Sequence, residues 1–146
     1  MGLQKGMSLT DARAIAPELL VMDHDAQAFH KKLIAMVDWC RRFTPLAALD
    51  APDGVMLDIT GVTHLFGGVP TLMRDMETRL ARLGITGITA VAATPEAAWA
   101  LARFSKTKIA PDDAKALQRL LSPLPAAALR LDETTCATLT RSGLKQ

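Results

Sequence analysis

Residues 44–68, TPLAALDAPDGVMLDITGVTHLFGG, constrain the fold more than any other stretch. Residues 46–51 and 55–60 read as two strands, and Asp53-Gly54 between them is a strong hairpin signal, since both residues tolerate positive φ. In the second strand Val55, Leu57 and Ile59 alternate with Met56, Asp58 and Thr60, so one face is apolar and the other carries a carboxylate and a hydroxyl. Asp53 at the tip and Asp58 on the mixed face are therefore the carboxylates to explain. Converging on Mg²⁺, they would suit phosphoryl transfer, because a two-metal site needs several carboxylates around ions about 4 Å apart. Alternatively, Asp53 is a turn residue bonding its own backbone, and Asp58 a strand-end carboxylate bonding local donors.

The rest of the chain supplies helices with clear ends. Ser8-Leu9-Thr10-Asp11 opens a short helix through Ile15 that Pro17 stops, and Asp23-His24-Asp25 caps a longer one over residues 26–43. There Phe29, Leu33, Met36, Val37 and Cys40 form an apolar stripe, opposite His30, Lys31, Lys32, Arg41 and Arg42. Asp-His-Asp is a poor metal site, since adjacent turn residues seldom converge on one ion. Pro70 starts a helix burying Leu72, Met73, Met76, Leu80 and Leu83, which Gly84 ends. Gly67-Gly68 is not a phosphate loop, because no Lys-Ser/Thr follows. Thr94-Pro95 starts a helix over residues 96–104, Asp112 a further one to Leu121, and Asp132 caps a last one to Arg141. Residues 19–22 and 85–93 read as strands. The expected class is α+β with a mostly antiparallel sheet.

With 146 residues the chain is long enough for one domain burying about two-thirds of its unfolded surface. A formal charge of +2 gives no strong basic field, so any affinity for DNA must be local and weak. Lys106 and Lys108 form a small basic cluster, either a solvated linker or a phosphate contact. Cys40 and Cys136 lie far apart without partners at metal spacing, which suits reduced thiols in a cytoplasmic protein. No apolar run approaches the roughly 20 residues that span a bilayer, so no membrane role is expected.

The run DGVMLDITGVTHLFGG resembles the palm of Y-family (translesion) DNA polymerases, and with DWCRRFTP before it looks most like their ImuB-like branch. The resemblance covers nearly all of the chain and implies a palm-like unit over residues 19–104, a remnant of the fingers over 1–18, and a partial helical thumb over 105–146. In active members the hairpin carries an adjacent Asp-Glu pair and a later strand Asp. Here Asp53 falls on the Asp, Gly54 on the Glu and Asp58 on the strand Asp, so one carboxylate of the pair is missing. The family's triphosphate-binding Asn-Lys and second Lys fall on Glu96, Ala97 and Leu101, which would repel a nucleotide rather than hold it. The thumb's Gly-x-Gly-Pro hairpin falls on Arg130-Leu131-Asp132-Glu133, leaving Arg130 as the candidate phosphate contact.

The resemblance thus implies a catalytically degenerate homologue without a cofactor, acting as an adaptor in DNA repair and damage-induced (SOS) mutagenesis. Its implied partners are an error-prone replicative-type polymerase, a RecA-like protein, a sliding clamp reached through a segment beyond Gln146, and, weakly, DNA. The rival readings are a low-activity translesion polymerase using Mg²⁺, and a truncated fragment without function. The family's first palm strand, with its metal-binding Asp, has no counterpart after Met1, which leaves a sheet edge open. The isolated chain is therefore expected to associate or to be marginally stable; a clean monomer on sizing chromatography with a cooperative melt is the contrary outcome.

Overall fold

A buried threonine joins the long helix to the hairpin. The Thr44 hydroxyl donates to the Asp58 carbonyl at 2.6 Å and accepts the Leu46 amide at 3.2 Å, so the end of one strand is fixed to the start of the other. The computed structural model describes residues 2–4 and 6–143. Helices α1 (Leu9–Ile15) and α2 (Ala26–Cys40) lead into strands β1 (Ala47–Asp50) and β2 (Gly54–Leu57). A 3-10 turn, Thr63–Phe66, precedes α3 (Val69–Arg82), followed by α4 (Pro95–Phe104) and α5 (Ala114–Leu121). A second 3-10 turn, Ala126–Leu129, leads to α6 (Glu133–Arg141). The architecture is a mixture of helices with a small antiparallel sheet of two strands.

Local chemistry explains the helix starts. Ser8 accepts the Asp11 amide at 3.1 Å, Asp25 that of Ala28 at 2.8 Å, Thr94 that of Ala97 at 3.3 Å and Asp113 that of Ala116 at 2.6 Å. Each satisfies an amide that the first helical turn cannot. Asp132 does the same for Thr135 at 2.8 Å, and the Thr134 and Thr135 donors hold its carboxyl well below the usual range. α5 starts at Ala114, capped by Asp113, rather than at Asp112 as expected.

Two packing units result. In the first, Phe43, Leu72, Met76 and Leu80 form the core, with Met36, Trp39, Leu57, Ile59 and Phe66 against them. Phe43 meets Trp39 edge-on at 5.4 Å and Phe66 at 5.8 Å. α3 buries Leu72, Met73, Met76 and Leu80 as its periodicity implies, but Leu83 is exposed at the helix end. Only the C-terminal half of the α2 stripe is packed: Cys40 is buried and Met36 half-buried, whereas Phe29 is 42% exposed. In the second unit, α4 packs on α5 and on the turn 126–129, which α6 also contacts. Ala97, Ala100 and Leu101 are its buried side.

The sheet is smaller than the sequence suggests. Residues 19–22 form no strand: Leu20 is 93% and Met22 90% exposed, and among the described residues no segment pairs with them. Residues 85–93 likewise supply one isolated parallel bridge, Val91 with Ile109, and the Thr89 hydroxyl donates to Glu77 of α3. The reason is physical: apolar β-branched runs favour extended backbone, but a strand exists only where a neighbour takes up its amides and carbonyls.

Leu101 is fully buried, so Leu101→Ala is expected to cost about 2–5 kcal/mol in urea unfolding. Phe29→Ala, on the unpacked end of α2, is expected to change stability by about 0.5 kcal/mol or less.

Candidate functional site

The hairpin pairs Asp50 with Gly54, so its tip is the three residues Ala51-Pro52-Asp53, with the Ala51–Pro52 peptide cis. The expected hairpin is there, but Asp53-Gly54 is not a left-handed turn: Gly54 is already in β2 and its φ is not positive. Its smallness serves a different purpose. A Cβ at position 54 would lie 3.1 Å from the Asp50 carbonyl oxygen and 3.2 Å from Asp50 Oδ2, closer than a carbon normally sits, so with a larger residue Asp50 would have to give slightly.

Both tip carboxylates are held from the second packing unit. Arg103, on the last turn of α4, donates from Nη2 to Asp53 Oδ1. Arg130, just after the turn 126–129, donates from Nη2 to Asp50 Oδ1 at 2.7 Å. Trp99 lies between these pairs in the chain's geometry, with the Arg103 guanidinium carbon 4.5 Å and that of Arg130 5.0 Å from its ring centroid. The two pairs are not equal. Asp50 is 14% exposed and Asp53 57%, so water screens the Arg103 pair more.

Arg130 also stands out in its backbone. At φ 59° and ψ 27° it is the one non-glycine among the described residues with a positive φ, a conformation that crowds Cβ and favours glycine. The place that the thumb resemblance assigns to a glycine thus keeps a glycine-like backbone with an arginine on it.

The remaining sequence-derived positions fall as follows. Asp58 accepts the Thr60 amide at 2.9 Å, and Thr60 lowers the pKa of its carboxyl through hydroxyl and amide. Lys108 donates to the carbonyls of Leu101, Ala102 and Ser105 at 3.2, 3.2 and 2.6 Å, closing the C-terminus of α4 where a cation suits the helix dipole. Lys106 is exposed and lines a shallow cleft of about 480 Å³ with Pro70, Met73, Arg74 and Glu77. Glu96 is exposed, whereas Ala97 and Leu101 are packing residues.

A divalent cation needs several oxygen donors around one point. Among the described residues no three of His, Cys, Asp and Glu are so grouped. Asp53 faces a guanidinium and Asp58 an amide and a hydroxyl, so the side chains present do not fit a Mg²⁺ site. Sequence reasoning passed over Arg103, Trp99 and Asp50. The spacing of Trp99 and Arg103, four apart on a helix, was the available signal for their stacking; nothing local announces partners 50 residues away.

A family model described as impB/mucB/samB matches residues 1–103. The chain is also 46% identical over 145 residues to Protein ImuB from each of two strains of Caulobacter vibrioides, NA1000 / CB15N and ATCC 19089 / CIP 103742 / CB 15. That match covers 99% of this chain and 31% of each relative, so the chain spans about a third of the length of the curated relatives it matches. No solved structure matches it significantly. No described helix is long and apolar enough to cross a membrane.

Both Arg130→Ala and Arg130→Gly remove the bond to Asp50, but only glycine relieves the left-handed backbone. Arg130→Ala is therefore expected to be less stable than Arg130→Gly by about 1 kcal/mol in urea unfolding; equal losses would show that the backbone at 130 is not left-handed.

Proposed function

Because the chain belongs to the impB/mucB/samB family of Y-family polymerase homologues, we propose that it is a non-catalytic member acting as an adaptor in DNA repair and damage-induced (SOS) mutagenesis. The observation that carries this reading is the pairing of Asp53 with Arg103: the remnant of the family's acidic pair is engaged by a cation of its own chain. Two features agree with it. Position 54, where active relatives carry a second carboxylate, is a glycine tight against Asp50, and two positions that would serve the triphosphate, Ala97 and Leu101, are packed into the core. Loss of a metal ligand costs an enzyme orders of magnitude in rate.

In this reading residues 19–104 are a palm-like unit, 105–146 part of a helical thumb and 1–18 a remnant of fingers, retained as a scaffold. Its partners are other proteins of a translesion synthesis complex: an error-prone replicative-type polymerase, a RecA-like protein and a sliding clamp. Any DNA contact is weak and falls first to Lys106, since Lys108 and Arg130 already direct donors to carbonyls and a carboxylate. The protein acts in the cytoplasm.

On a primed template with Mg²⁺ or Mn²⁺ and all four nucleotides, no primer extension is expected. Robust extension that Asp53→Asn abolishes would overturn the adaptor reading in favour of a low-activity translesion polymerase.

A further inference from the structure

We propose that Arg103 and Arg130 are built-in counter-cations for the hairpin, forming with Trp99 a latch that joins the two packing units without any metal ion. The inference deepens the non-catalytic reading and rests on it, because it assigns Asp53 a structural partner instead of a cation from solution. Three observations carry it. The ion pairs connect residues 50 and 80 apart in the chain, both from hairpin tip to second unit. Each guanidinium also lies over the same indole, which limits the orientations it can take. And a Cβ at position 54 would come within 3.1 Å of the Asp50 carbonyl oxygen and 3.2 Å of Oδ2, so glycine there lets Asp50 stay where Arg130 bonds it.

Each part depends on the others. Arg130 reaches Asp50 from a left-handed backbone, a conformation of sparse population that persists where its surroundings hold it. Arg103 is positioned by α4, whose N-terminus Thr94 caps and whose C-terminus Lys108 closes. Trp99, one turn before Arg103, is the surface on which both guanidiniums rest. A guanidinium supplies directed hydrogen bonds to a carboxylate, whereas a divalent ion requires additional oxygen ligands that the tip does not offer.

The test uses the 146-residue chain in a Trp39→Phe background, so that Trp99 is the single indole. Arg103→Gln, Asp53→Asn and the double variant are compared by thermal melting and by Trp99 emission, in the absence of DNA and nucleotide. Each single variant is expected to lower the melting temperature by a few degrees, and the double variant by no more than the larger single loss. Arg103→Gln is expected to shift Trp99 emission, and millimolar Mn²⁺ to leave the parent's emission and melting temperature unchanged. Additive losses in the double variant, or Mn²⁺ quenching of Trp99 that Asp53→Asn abolishes, would overturn the latch. The two readings fail separately: primer extension by a protein whose pair is coupled sinks the adaptor, and additive losses in a protein that extends nothing sink the latch.

Discussion

Two carboxylates three residues apart, at the closed end of one hairpin, meet two arginines of the second packing unit that share one indole. Asp50–Arg130 and Asp53–Arg103 are the directed bonds from the hairpin to that unit, whereas the core of Phe43, Leu72, Met76 and Leu80 packs against Leu57, Ile59 and α2 within the first. The energetic weight differs between the pairs. An exposed ion pair contributes about 0.2–1 kcal/mol, so the Arg103 bond acts mainly as an orienting contact. The Arg130 bond, with Asp50 largely shielded from water, opposes the cost of its left-handed backbone.

The same geometry explains why position 54 is a glycine. The sequence alone suggests positive φ in a tight turn, but the backbone there is ordinary strand and the constraint is distance: Asp50 sits where a Cβ would point. A Cβ at 54 would make Asp50 give slightly, and Arg130 is bonded to Asp50.

Helix ends were legible because they are local. Ser8, Asp25 and Thr94 cap where their own amides lie three residues on, and the apolar spacing of α3 puts four of five named residues inside. The strands at 19–22 and 85–93 were not, because strand formation is decided by a partner segment that pattern cannot supply. For the candidate site, Asp53, Asp58, Lys106, Lys108 and Arg130 were all visible as residues, and so was a local bond for Asp58, yet the partners of Asp53, Lys108 and Arg130 were not. Lys108 reads as part of a basic cluster until α4 ends beside it and offers three carbonyls.

Arg130 carries a charged side chain on a left-handed turn backbone. Glycine at a left-handed position leaves amides exposed for a phosphate, while an arginine there covers the turn and carries its charge elsewhere. Here the charge goes to Asp50, 80 residues earlier, and the indole of Trp99 supports it on the way. An anion approaching this turn must therefore compete with a carboxylate already bonded at 2.7 Å and mostly out of water, which is a stronger competitor than solvent. The Arg130 side chain thus ties the turn to the hairpin within one chain, through Asp50 and over Trp99.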